Sequence, residues 1–196
     1  MFGIYDNGKI IAKFTAPLSV SSNVPVFGSD ALSLKRQVTK RTAQRWEIST
    51  GIEPLSYGSN ELFALFVRKG NSEPISIVMP QNFGAMEALT ATGVGTGTGS
   101  ASETSVDVLG ITGTIPVGTF IKFGNHSKIY MLTQKLVGSG TMHIYPALRS
   151  AVNATAFSYQ KDIIADFLLD LDVIAGMSFT DGILMDLGTI KLVEVL

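Results

Sequence analysis

The sequence contains no cysteine, and only 16% of its residues are charged. The first absence excludes disulfides, thiolate catalysis and cysteine-ligated metals. The low charge, against about a quarter in typical domains, favours burial of much of the surface in an assembly. The alternative is a β-rich protein with a Ser/Thr surface. With a net charge of −1, non-specific binding of nucleic acid is not indicated.

Long apolar runs are also missing. No run approaches the roughly 18 residues of a membrane span. The start, MFGIYDNGK, has neither the charged region nor the apolar core of a signal peptide. We therefore expect a protein that is made in the cytoplasm and stays soluble until it meets its partners. Neither a membrane nor a specific nucleic-acid sequence is expected among those partners.

Groups that carry chemistry are scarce. The two histidines, His126 and His143, have no carboxylate nearby in the sequence, whereas a zinc site usually needs three or four ligands. The glycines from Gly93 to Gly99 lack the Lys-Ser/Thr pair and the following helix of a phosphate-binding loop. No serine stands in a G-x-S-x-G context. We expect no catalytic residue, no metal and no cofactor, and hence no enzyme.

Three acidic residues lie close together near the C-terminus: Asp166, Asp170 and Asp172. Such carboxylates can form an acid pair or a calcium site. Asp162, Asp166 and Asp170 are also spaced by four, as on one face of a helix. However, the same stretch, IADFLLDLDV, alternates acidic and apolar residues. We favour a strand whose acidic edge faces solvent or an interface.

The stretch 106–149 has the clearest β pattern. Apolar runs of four to six residues alternate with Gly, Asn and Ser breaks at roughly ten-residue spacing. A Gly/Thr/Ser tract at 91–102 precedes it and predicts a flexible linker. We therefore predict a small β-barrel module at 103–153, inserted into a host domain made of residues 1–90 and 155–196.

The host segments carry local signals of their own. Asp6-Asn7-Gly8 predicts a hairpin turn near the start of the chain. Trp46 alternates in phase with Ile48, which predicts that both are core residues of the host. A helix is predicted from Ser59 to Val67. Its expected buried stripe consists of Leu62, Phe63, Phe66 and Val67. The last eight residues, TIKLVEVL, predict a closing strand.

Charge is unevenly distributed along the chain. The stretch 35–45 contains only basic charges, and 162–186 contains only acidic ones. Opposite patches can join copies of a chain head to tail, and such contacts generate a ring where they close. The alternative, that the patches pair within one subunit, is equally open. The hypothetical subunit interface consists of Lys35, Arg36, Lys40, Arg41, Arg45, Asp166, Asp170 and Asp172.

Four phrases of the sequence are distinctive in their order: AQRWEI at 43–48, PVGTFIKF at 116–123, HSKIYML at 126–132 and GTMHIYPALR at 140–149. They resemble phrases of tailed-bacteriophage tail and baseplate proteins of the ring-forming, distal-tail or tube-terminating type. Thr119 departs from the pattern, because such proteins often have an acid there. The resemblance implies a non-catalytic virion protein that assembles with copies of itself, with a hexamer as the expected ring, and with other tail-tube and baseplate proteins. It also implies location in the virion tail after synthesis in the host cytoplasm.

Taken together, the expected fold is mainly β, or α+β at most. It comprises a β-sandwich or split-barrel host domain, tail-tube-like, with one short helix and an inserted small β-barrel. The alternative function is a carbohydrate- or receptor-binding β module on a virion or cell surface. The side chains available for that role are Tyr130, Tyr145 and Asn125, although both tyrosines alternate with apolar neighbours as core residues do.

Overall fold

The computed structural model describes residues 2–30, 36–40, 43–55, 59–70, 72–160, 163–170, 178–180, 183–186 and 188–196. Strands make up 54% of the structure and helices 10%. The predicted mainly β fold is therefore confirmed. The elements follow one another in this order: β1 (Gly3–Asp6), β2 (Lys9–Asn23), β3 (Val26–Asp30), β4 (Arg36–Lys40), β5 (Arg45–Pro54), α1 (Ser59–Lys69), β6 (Ile75–Val78), α2 (Phe83–Ala88), β7 (Thr96–Gly99), β8 (Ser105–Leu109), β9 (Thr114–Ile115), β10 (Phe120–Phe123), β11 (Ile129–Leu132), β12 (Leu136–Val137), β13 (Gly140–Tyr145), β14 (Val152–Ser158), β15 (Ile164–Leu169), β16 (Ser178–Thr180), β17 (Ile183–Asp186) and β18 (Thr189–Glu194).

Six strands from both ends of the chain close into a first barrel, in the order β1-β2-β5-β18-β15-β6. Every neighbouring pair is antiparallel. The turn between β1 and β2 is the predicted one. Asn7 and Gly8 adopt φ of 47° and 83°, the left-handed conformations that a tight two-residue hairpin turn requires. Strand β18 confirms the predicted closing strand, and β15 confirms the strand interpretation of 164–169.

Six strands from the middle of the chain close into a second barrel, in the order β10-β11-β13-β8-β7-β14. This barrel begins earlier and ends later than the predicted insert. Thr96–Gly99 forms strand β7, which pairs with both β8 and β14. The interpretation of 91–102 as a flexible linker is therefore wrong for this strand. That either barrel folds without the other stays a prediction.

Glycines in β7 and directly before it make room for aromatic rings of the second core. A Cβ on Gly95 would lie 2.5 Å from the ring of Phe157, and one on Gly97 would lie 2.7 Å from the ring of Phe123. Any side chain at these positions would collide with the core. The glycines thus reflect close packing rather than chain flexibility, which explains why composition alone suggested a linker.

The described part of the chain contains two helices where one was predicted. Helix α1 covers the predicted segment, but its buried face differs. Leu62, Leu65 and Phe66 are buried, whereas Phe63 and Val67 are 42% and 69% exposed. The helical period of 3.6 residues places 62, 65 and 66 on one face, and 63 and 67 on its flank. The second helix, α2, begins after Asn82, whose side chain accepts a hydrogen bond from the Ala85 N–H at 3.2 Å.

Among the described residues, three small sheets lie outside the barrels, formed by β9 with β12, β3 with β4, and β16 with β17. The β3–β4 hairpin continues the ribbon that β2 and β5 begin. Asn23 is paired with Arg45, and the next pair along the ribbon is Val26 with Lys40. The dipeptide Asp181-Gly182 is of a type that predicts a turn, and both residues lie outside the described residues.

Candidate functional site at the junction of the two barrels

The two barrels share one apolar cluster, and Trp46 belongs to it. Trp46 is 4% exposed, so its predicted burial is confirmed. Its ring meets Phe120 of the second barrel edge-on, with ring centroids 5.1 Å apart, and Tyr145 at 6.1 Å. Buried Ile129 belongs to the same cluster. Trp46 therefore packs between the barrels rather than only within the first one.

Side chains also hydrogen-bond to the backbone across the junction. The Trp46 Nε1–H donates to the carbonyl of Ile129 at 2.9 Å. The amide of Gln81 pairs twice with Phe120, donating to its carbonyl at 3.0 Å and accepting from its N–H at 2.9 Å. These bonds satisfy backbone groups that would otherwise be buried without partners.

A buried ion pair crosses the same junction. The Lys128 amine, in the second barrel, donates to the Glu194 carboxylate in β18, and also to the main-chain and side-chain oxygens of Gln44 at 2.9 and 2.6 Å. The carboxylate of Glu194 accepts two further bonds, from the N–H groups of Trp46 at 3.0 Å and Ile129 at 2.8 Å. All three amine protons have acceptors. Burial lowers the pKa of Lys128, and the Glu194 carboxylate opposes that effect.

A cleft of about 320 Å³ opens beside this ion pair. Its apolar lining comes from Ala43, Pro146, Ala147, Leu148 and Leu196, and its polar lining from Gln44, Ser102, Lys128 and Arg149. Backbone hydrogen bonds hold two of the lining residues in place. The N–H of Ser102 donates to the Leu148 carbonyl and the N–H of Leu148 donates to the Glu103 carbonyl, both at 2.7 Å. The cleft is therefore largely preformed.

A short chain of polar contacts begins at Arg149, one of the residues that line the cleft. The Tyr130 hydroxyl accepts the Arg149 N–H at 3.0 Å and lies 2.8 Å from His126 Nε2. His126 Nδ1 is buried and has no hydrogen-bond partner. Burial lowers the pKa of His126, and the charges of Arg149 and Lys122 lower it further. Burial raises the pKa of Tyr130.

The residues of the hypothetical subunit interface are only partly described. Lys35, Arg41 and Asp172 lie outside the described residues. Arg36 and Lys40 are the first and last residues of β4, and Arg45 is exposed at the start of β5. Asp166 accepts a hydrogen bond from the Ser76 hydroxyl at 2.8 Å, and Asp170 lies 3.0 Å from the amine of Lys191. The structure thus gives Asp170 a partner within the chain, Lys191. Lys191 does not belong to the basic cluster, by which we mean Lys35, Arg36, Lys40, Arg41 and Arg45.

The side chains considered for sugar binding do not form a platform. Tyr130 is completely buried. Tyr145 packs against Trp46 and lies 3.0 Å from the Ser22 hydroxyl. Asn125 donates to the carbonyl of Ala151 at 3.0 Å. No exposed aromatic face is therefore available from this group.

Trp46 was predicted to be buried, but the sequence did not predict the junction to which it belongs. Its members are distant in the chain: Lys128 is 66 residues from Glu194 and 84 from Gln44. One signal was present. In TIKLVEVL, alternation places Glu194 on the same face as Ile190 and Leu192, which are buried. An acid on an apolar face predicts a buried partner.

The chain matches no protein-family model and no curated protein sequence. Among the described residues, no group of three His, Asp or Glu side chains is placed to hold a metal ion. None of the described helices is long and apolar enough to cross a membrane.

Proposed function

We propose that this chain is a structural subunit that assembles with copies of itself into a ring, as in a bacteriophage tail or baseplate, and that it is not an enzyme. One observation carries the proposal. Within the described residues, the β3–β4 and β16–β17 hairpins each form a two-stranded sheet that pairs with no further strand. Such edges are suited to pairing with another chain.

The β3–β4 hairpin supports assembly for an energetic reason. An isolated two-stranded ribbon is marginally stable in water, and it usually needs a third strand or a packed face. A strand from a neighbouring subunit would supply both the missing backbone hydrogen bonds and a covering surface. Since the ribbon extends the β2–β5 pair of the first barrel, it is anchored at its base and can present its outer part to a neighbour.

Charge supports a head-to-tail arrangement. In the sequence, the basic residues lie in and around β4 and at the start of β5, and the acidic ones lie from β15 to the end of β17. Contacts between unlike surfaces on two copies generate a ring when the rotation closes. We propose a hexamer, with other tail-tube or baseplate proteins as further partners and the virion tail as the location.

The junction supports a structural role rather than catalysis. The Lys128 amine has all three protons committed to acceptors, so it has no lone pair free for nucleophilic attack. Glu194 accepts three hydrogen bonds and is closed off from water. These groups hold the two barrels together, and a fixed angle between barrels suits a subunit that must repeat identically around a ring.

The test is the mass of the protein in solution as its concentration rises, measured by native mass spectrometry. We expect the complete chain to form a closed oligomer. Replacing residues 25–43 by Asn-Gly would end the β2–β5 ribbon in a two-residue turn and leave Gln44 in place. This variant should stay monomeric, with a cooperative unfolding transition. As a matched control, Val67→Ser changes an exposed residue of α1 and should assemble normally.

Two outcomes would contradict the proposal. The complete chain could remain monomeric at every concentration and also fail to join a ring with other tail components. Alternatively, the shortened variant could form the same oligomer as the complete chain, in which case the hairpin is not the assembly element.

A further inference from the structure

We propose that the cleft beside Lys128 is a binding site for a small organic anion that has an apolar body and one carboxylate. This inference does not depend on the proposed ring assembly. The cleft lies between two barrels, a common location for ligand sites, and its volume of about 320 Å³ is at the small end of the range for such sites.

The charge of the cleft selects an anion. Arg149 lines it and is exposed, and within the described residues its guanidinium has neither an ion-pair nor a hydrogen-bond partner. The other cation, Lys128, is neutralised by Glu194. Among the charged side chains of the lining, Arg149 is therefore the one without a paired counter-charge, and a guanidinium binds carboxylates through two parallel N–H bonds.

The remaining groups define the rest of the ligand. Ser102 adds a hydroxyl at the lining, and its backbone is fixed by the bond to Leu148. Gln44 contributes little to recognition, because its amide is already bonded to Lys128 and to Ser22. The other lining residues are aliphatic. A carboxylate would thus meet Arg149 and Ser102, while an alkyl or aryl body would contact the aliphatic wall.

The backbone of Arg149 is positioned in advance. Its N–H is held by the hydroxyl of buried Tyr130, so binding has to order the side chain of Arg149 but not its backbone. Preorganisation of this kind reduces the entropy cost of binding.

The experiment uses the complete chain labelled with ¹⁵N and the probe hexanoate, with hexanol and hexylammonium as neutral and cationic controls. We expect hexanoate to shift the amide signals of Ser102 and Arg149 in a saturable way, and to leave those of Asn7 and Gly8 unchanged. Hexanol and hexylammonium should bind at least tenfold more weakly, since charge-assisted hydrogen bonds are lost.

Arg149→Gln should weaken hexanoate binding by about tenfold or more, with the Trp46 indole signal unmoved as a sign of intact folding. Arg68→Gln removes an exposed arginine of α1 and should bind hexanoate as the unaltered chain does. The proposal is overturned if hexanoate causes no saturable shift, if hexanol competes equally, or if Arg149→Gln binds hexanoate unchanged.

Discussion

Lys128 of the second barrel and Glu194 of the first form an ion pair that is closed off from water, with side chains only 3% and 1% exposed. Removing two charges from water is costly, and the pair persists because every remaining donor and acceptor is occupied. Because the two residues belong to different barrels, their contact fixes how the barrels meet. Buried pairs of this kind can specify one arrangement even where they add little net stability.

Breaking this pair from one side should destabilise the protein strongly. Glu194→Gln leaves the Lys128 amine buried without a counter-charge, and Lys128→Met leaves the carboxylate in the same position. Each should lower the free energy of unfolding by about 3–5 kcal/mol. The measurement is urea unfolding followed by the fluorescence of Trp46, which is the only tryptophan.

The double variant Lys128→Met with Glu194→Gln tests whether the loss comes from an isolated charge. Its glutamine oxygen can still accept from the N–H of Trp46 or Ile129, and no charge remains. We expect it to be more stable than the sum of the single changes predicts. Additive effects of less than about 1 kcal/mol each would instead be typical of a solvent-exposed pair.

Local signals were sufficient for part of the fold. The Asn7-Gly8 turn depends on two adjacent residues, and alternation identified β15, β18 and the face of Trp46. The surroundings of Trp46 could not be predicted, because its hydrogen-bond partner Ile129 lies 83 residues away in the chain. A strand pattern shows which side chains point inward. It does not show which other barrel they meet.

Strand β7 was missed for a different reason. Glycine is common in flexible linkers, and it is also required where a backbone lies against a large ring. Composition is identical in the two cases. Only the position of Phe123 and Phe157, brought next to β7 by strand pairing, distinguishes them.

Gly97→Ala tests this explanation directly. The added methyl carbon would lie 2.7 Å from Phe123 Cε1 and 2.9 Å from Val106 Cγ1, and both side chains are buried. Overpacking of this kind should lower the free energy of unfolding by about 1–3 kcal/mol. The matched control is Gly84→Ala in α2, where the nearest atom is 3.5 Å away. Gly84→Ala should be neutral or slightly stabilising, because alanine favours a helix over glycine. A neutral or stabilising effect at Gly97 as well would contradict the close packing of β7.

His126 should make stability depend on pH. Its pKa is lowered by burial and then by Arg149 and Lys122, and the nearby Lys128 is neutralised by Glu194. Tyr130 can donate to Nε2 only when that nitrogen is unprotonated, and Nδ1 has no acceptor. Since the pKa in the folded state lies below the unfolded value of about 6.5, the unfolded chain binds more protons below that pH. The contribution of His126 is therefore fully present above about pH 7 and is lost as the pH falls.

The measurement is the free energy of urea unfolding at several pH values between about 5 and 7.5. His126→Gln should reduce the fall in the free energy of unfolding as the pH decreases. His143→Gln should leave the contribution of His126 to that fall unchanged. If His126→Gln shows the same slope as the unaltered chain, the imidazole is not the group responsible.

A row of ion pairs on the first barrel includes two residues of the hypothetical subunit interface, Arg45 and Asp170. Lys191 lies 3.0 Å from Asp170 and 3.3 Å from Glu47, and Arg45 lies 3.9 Å from Glu47. Asp170 and Glu47, in turn, raise the pKa of Lys191. A hydrogen bond from Asn23, together with Lys191 and Arg45, lowers the pKa of Glu47 against the effect of its burial. A neighbouring subunit that uses Asp170 must therefore compete with Lys191.

The final prediction is that reversing the basic cluster abolishes assembly without unfolding the subunit. Each exposed ion pair contributes only about 0–1 kcal/mol, so one reversal should do little. Reversing Arg36, Lys40 and Arg41 to Glu together should remove the attraction and add repulsion, which costs several kcal/mol between like charges.

A second triple change, to Lys at Asp166, Asp170 and Asp172, should restore assembly in the first variant. Lys191→Gln, which frees Asp170 from its partner in the chain, should leave assembly intact or strengthen it. Oligomer mass at low and moderate salt distinguishes the cases. If the basic-to-acidic variant assembles normally under both conditions, the two patches do not meet across subunits.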